Sequence, residues 1–207
     1  MSEENKILRS YQILIKKGHK MFDYFDSLSL LSKNLYNTTN FYIRQVFTGV
    51  KKDSEKITQN EKEVIETINS NITKLNAVKQ NYYEKRINNN KDKNVKKEIK
   101  EPKFFKPVTE DNSFPCYELL EGVLKVIKQV DYTSLPSHSN QHIIKQLYQN
   151  YNSFFKSLKE YKLNPSKFKG RPRIPKYAPK NGRKPVVFSN QTCIIKNNKI
   201  KKRGKKI

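Results

Sequence analysis

Acidic residues run out along this chain. It has 207 residues and 19 Asp and Glu, yet none follows Glu160. A metal-dependent nuclease needs clustered carboxylates to hold hard cations. The acids present, such as Glu61, Glu63 and Glu66, are scattered among lysines in the pattern of a solvated helix face. No catalytic residue, and so no enzyme, is expected. Cysteine is scarce as well. Cys116 and Cys193 stand far apart, which excludes the closely spaced pairs of a zinc site and fits a reduced, cytoplasmic protein. His138 and His142 are four apart on an expected helix, but no Glu of the metalloprotease arrangement and no third ligand accompanies them. No metal and no cofactor is expected. The 6 glycines do not cluster, so there is no phosphate-cradling loop. No apolar run approaches the roughly 20 residues that span a bilayer, and the polar, acidic start is not that of a signal peptide. Trp is absent and the apolar share is 35%, which implies a lean core.

What the chain has in excess is positive charge, and it is one-sided. Residues 156–207 hold 18 Lys and Arg against the single acid Glu160, within a net charge of +24 for the whole chain. Cations packed this densely repel one another and call for a polyanion. Nucleic acid is the expected partner, because neutralising its phosphates releases condensed counterions. Phe168, Tyr177 and Phe188 alternate with the cations and could stack bases or pack on ribose. Pro165, Pro172, Pro175, Pro179 and Pro185 forbid helix and hold the segment extended.

Periodicity places the elements. Residues 6–17 alternate as a strand, with Tyr11, Ile13 and Ile15 on one side. Residues 27–48 read as a helix with Leu28, Leu31, Leu35, Tyr42 and Val46 on one stripe and Gly49 as its stop. Residues 60–83 read as a second helix. Residues 84–113, rich in Lys and Asn, read as a disordered, solvated loop. Residues 118–130 are a third helix. Leu135-Pro136-Ser137 restarts the chain, with Ser137 as a candidate N-cap. The helix it opens buries Ile144, Leu147, Tyr151, Phe154, Phe155 and Leu158 and ends before Pro165. Short β runs follow at 186–188, 193–195 and 199–200, the last two joined by a turn at Asn197-Asn198. The expected class is therefore α+β. The first strand (1–20) and the return strands behind a basic connector (165–207) would form a small β domain, interrupted by a helical insertion at 21–164.

The order of Leu135-Pro136-Ser137, Gln141, the Phe154-Phe155 pair and the basic stretch Gly170, Pro172, Arg173, Lys176, Tyr177 resembles the OrfB/TnpB proteins of insertion-sequence transposons. Those proteins are RNA-guided nucleases ancestral to type V CRISPR effectors. The helix containing Leu35-Tyr36-Asn37, with Arg44-Gln45 following, is similar to a family segment too. The resemblance implies a wedge-like split β-barrel interrupted by a helical recognition lobe, binding a guide RNA and target DNA. In that family a RuvC-like nuclease domain and a zinc finger follow; the expectation is that both are absent here. The barrel would then be incomplete and leave an unpaired edge. Gln141 is carried over as a contact to the target-adjacent motif, whereas Ser137 stands where some relatives have a basic residue. Lys167, Lys169, Arg171, Arg173 and Lys176 are candidate phosphate contacts by charge and position. The expectation is a truncated transposase-associated protein that binds nucleic acid without cutting it. It would act in transposition and DNA recombination, in a bacterial cytoplasm close to the nucleoid, with a separately encoded nuclease portion as a further partner. A retained nuclease-less module acting as a repressor, and an unrelated basic RNA-binding protein, are the alternatives.

Overall fold

The structure is a computed structural model and describes residues 12–91, 98–189, 193–196 and 199–202. Helices dominate it: α1 (Phe22–Gly49), α2 (Gln59–Ser70), α3 (Ile72–Lys91), α4 (Tyr117–Val126), α5 (Val130–Thr133) and α6 (Ser137–Leu163). The core lies where α1, α2, α4 and α6 meet. Leu35, Ile43 and Val46 of α1 face Ile68 of α2, Leu120 and Leu124 of α4, and Ile144 and Leu147 of α6 in one buried cluster. Within each helix these buried residues, Val64 with Ile68 in α2 included, recur three, four or eight apart, the spacing that keeps apolar side chains on one face. Phe114 seals one side, with its ring 5.2–5.5 Å from those of Tyr148, Tyr151 and Phe155.

Local chemistry sets the boundaries. Thr58 caps α2 in a capping box: its side chain accepts from the Glu61 amide, and the Glu61 carboxylate takes the Thr58 amide. The helix expected over 60–83 is broken at Asn71, whose side chain donates to the Thr67 carbonyl at 2.9 Å. The third helix stops at Val126, four residues short of expectation, and Lys128 turns the chain with a left-handed φ of 51°. At α6, Ser137 is the first helical residue, and Pro136 occupies the capping position without a side-chain bond. Ser137 therefore does not serve as the expected N-cap.

The largest correction concerns the β domain. Among the described residues no α+β split barrel is formed. Among the described residues the β structure is one antiparallel hairpin, β1 (Cys193–Lys196) with β2 (Lys199–Lys202), in which Cys193 faces Lys202 and Lys196 faces Lys199. The Asn197-Asn198 turn expected between these strands lies outside the described residues, as do residues 6–11 of the first expected strand. Residues 12–16 of that strand have no regular structure, and Ile13 and Leu14 are exposed. Among the described residues, 186–188 join no sheet; the Val187 carbonyl accepts from Ser139 of α6, and the preceding Pro185 carbonyl from Ser32 of α1.

The expected disordered loop 84–113 is also revised on either side of residues 92–97, which lie outside the described residues. Helix α3 continues to Lys91, and residues 98–113 run back along α2 and α3 as a tethered strap. Two asparagines hold it. Asn76 donates to the Phe105 carbonyl at 3.0 Å and accepts the Phe105 amide at 2.8 Å. Asn69 does the same for Val108, at 3.3 and 2.8 Å. Val108 is thereby drawn into the core.

Candidate nucleic-acid interface

The basic connector is bound to α1 by a ladder of side-chain hydrogen bonds. Prolines lack an amide hydrogen, so an extended Pro-rich segment offers mainly carbonyls. Helix α1 answers with donors. Asn40 and Arg44 donate to the Pro175 carbonyl at 3.1 and 2.8 Å, and Tyr36 to that of Lys176 at 3.3 Å. Asn37 brackets Ala178, donating to its carbonyl at 3.0 Å and accepting its amide at 2.8 Å. The buried Lys33 places its ammonium 3.1 Å from the Lys180 carbonyl. A turn follows, closed by the Gly182 amide on the Pro179 carbonyl at 2.9 Å. The chain then recrosses α1 through Ser32, which donates to the Pro185 carbonyl at 2.9 Å, and reaches α6, where Ser139 donates to that of Val187 at 2.8 Å. Asp26 grips Arg183 with two bonds of 2.8 and 2.7 Å, and this pairing holds the carboxyl of Asp26 below its ordinary range. The helix residues recur in steps of three and four, so they form one polar ridge beside the apolar stripe.

With its backbone fixed, the connector leaves its cations exposed. Arg171, Arg173 and Lys176 join Arg44, Pro172 and Ile174 in lining an open cleft of about 620 Å³. No acid lines it, and among the described residues none of these four cations has a carboxylate within ion-pair distance. Arg44 also lies 4.7 Å from the Tyr177 ring centre. Burial pushes the neighbouring Tyr151 hydroxyl up to about 12, against the lowering effect of Arg44. Tyr151 is therefore a neutral donor at ordinary pH, and its hydroxyl bonds Asn40 Oδ1 at 2.7 Å.

The residues singled out from the sequence divide. Arg171, Arg173 and Lys176 come together in the cleft. Lys167 and Lys169 lie on the turn after α6 and do not line it; Lys167 pairs with Glu160 at 3.0 Å. Gln141 is half-buried, and its amide points to Glu121 at 3.4 Å, a carboxylate that also accepts the Tyr132 hydroxyl. Of the three aromatics expected to stack bases, Tyr177 is 42% exposed, whereas Phe168 packs on Tyr161 and Phe188 on the core. Arg44 was missed as a site residue. The available signal was an arginine one turn beyond Asn40 on the same ridge.

Among the described residues, no three His, Cys, Asp or Glu side chains are grouped to hold a metal ion, and no helix is long and apolar enough to cross a membrane. No family model, curated protein or solved structure matches this chain.

Proposed function

We propose that the chain is a nucleic-acid-binding protein that holds phosphates in the cleft of Arg44, Arg171, Arg173 and Lys176 and does not cut them. The observation that carries this is the cleft itself: four cations converge there with no acid to neutralise them. Such a cluster has high potential and lacks its counter-charge, and a phosphate backbone supplies it. Arginine suits this task because its planar fork engages phosphate oxygens two at a time. The OrfB/TnpB resemblance supports the same reading from its helical part, the lobe that binds guide RNA and target DNA in that family. The barrel plays no part in it. On this reading the protein associates with the nucleoid of a bacterial cell in the context of transposition.

Affinity for RNA and for duplex DNA, measured against salt concentration, tests the reading. The log–log slope for duplex DNA should be steep. Replacing Arg171, Arg173 and Lys176 together by Ala should reduce it by about 3 if each meets one phosphate. The variant should keep the helical circular dichroism of the parent, because all three side chains are exposed. A wild-type slope near zero sinks the proposal.

A further inference from the structure

We propose that the groove between α3 and the strap at residues 100–105 is a second nucleic-acid site, one that takes unpaired bases of a single strand. This rests on the nucleic-acid reading above and specifies the form of the strand. The groove encloses about 550 Å³ and combines aromatic faces with cations: Tyr82, Tyr83 and Phe104 lie among Lys79, Arg86 and Lys103. Tyr82 is 65% exposed and Phe104 51%. Solvent-facing rings are the platform on which bases stack, whatever their sequence. Including Lys100, four cations line the groove against Glu101 and Glu118, so its charge suits a phosphate backbone.

The platform is built rather than incidental. Phe105 is clamped by Asn76 and packs inward against the core. With Phe105 packed against the core at the floor of the groove, the neighbouring Phe104 ring is left exposed to it. Lys79 completes the wall: its ammonium donates to the Lys103 carbonyl at 2.6 Å and sits 3.4 Å from the Phe105 ring centre. On the opposite wall, the Arg86 guanidinium lies 6.0 Å from the ring centre of Tyr82. A base stacked on either ring therefore has cations close by for its flanking phosphates. The arginine cleft is lined by four cations and no aromatic ring. It suits a backbone in any form, whereas the groove suits bases that are not already paired.

The full chain is titrated into a short single-stranded oligonucleotide carrying a fluorescent adenine analogue, into the matching duplex, and into a strand with abasic sites at the centre. Binding of the single strand should change the analogue's fluorescence. Tyr82→Ala with Phe104→Ala should abolish that change and weaken single-strand binding about 5- to 150-fold for each base that loses its platform. Duplex and abasic-strand affinities should be unaltered, and Tyr82→Phe, which keeps the ring, should behave as wild type. Equal melting temperatures for wild type and variants would show that the fold is intact. The proposal is overturned if the double variant binds the single strand as well as wild type does. It is equally overturned if a free adenine mononucleotide binds as tightly as the oligonucleotide. If salt-sensitive duplex binding survives either of these results, the arginine cleft stands and the groove alone is refuted. If no polyanion binds at all, the proposed function fails and the groove with it.

Discussion

Replacing Asn40 by leucine tests whether the ridge on α1 holds the connector by hydrogen bonds or merely lies beside it. Asn40 is 0% exposed and serves two partners, donating to the Pro175 carbonyl and accepting from the Tyr151 hydroxyl. Leucine has nearly the same shape and neither function. The Pro175 carbonyl keeps Arg44 as a donor, so that loss should cost about 1 kcal/mol, the net worth of an ordinary hydrogen bond. The Tyr151 hydroxyl is left buried without its acceptor, which costs a further 1–3 kcal/mol or so. Asn40→Leu should therefore destabilise the fold by about 2–4 kcal/mol. Tyr151→Phe removes the hydroxyl itself and strands only the Asn40 oxygen. In the double variant nothing is stranded between the two positions, so the effects should be sub-additive by about 1–3 kcal/mol. Urea denaturation of the four proteins, followed by circular dichroism, yields that coupling directly. Effects that add to within about 0.5 kcal/mol would refute the ladder as an energetic unit.

Two further outcomes follow from other contacts. Burial alone would raise the Glu61 carboxyl, but bonds from the Lys52 ammonium, the Thr48 hydroxyl and the Thr58 amide and hydroxyl hold it at about 2, below its ordinary 4.5. A depressed folded value means its stabilisation is complete above about 4.5 and is lost as pH falls towards 2; a melting temperature that falls equally over this range in wild type and Glu61→Gln would contradict that. A methyl group added at Gly49 would meet the Glu61 Cβ at 2.9 Å and the Ile65 Cδ1 at 3.0 Å. Despite alanine's better helix propensity, Gly49→Ala should lower stability by about 1–2 kcal/mol, and an unchanged or raised urea midpoint would show that α1 and α2 can move apart freely.

The long helices were legible because their apolar stripes repeat over many turns: Leu28, Leu35 and Val46 in α1, and Ile144, Leu147 and Tyr151 in α6, are all buried as the spacing requires. The β domain was misread at residues 186–188 for a definable reason. Val186 and Phe188 do pack against the core, so the apolar signal was sound. A short apolar run, however, does not reveal what partners its backbone, and here the Val187 carbonyl takes a helix side chain, Ser139, as its donor. The clue lay in asparagine. This residue is poorly suited to helix interiors, yet Asn37 and Asn40 recur in α1, Asn69 lies in α2 and Asn76 in α3. Each holds a passing extended chain. Their positions on helices, rather than their number, carry the structural information. In the candidate site, charge and position pointed to Arg171, Arg173 and Lys176. Arg44 is 127 or more residues away in sequence from each of them, and only the connector's path along α1 brings it beside them.

That path has a consequence for how the cationic surface can change. Helix α1 grips the connector mostly by its carbonyls, which every residue possesses. Placement is thus largely indifferent to which side chains the connector carries at Arg171, Arg173 and Lys176. The cationic face can be rewritten, with charges added, removed or exchanged for aromatics, while the same helix keeps the chain on the same track. Surface charge and foldability become separately adjustable quantities.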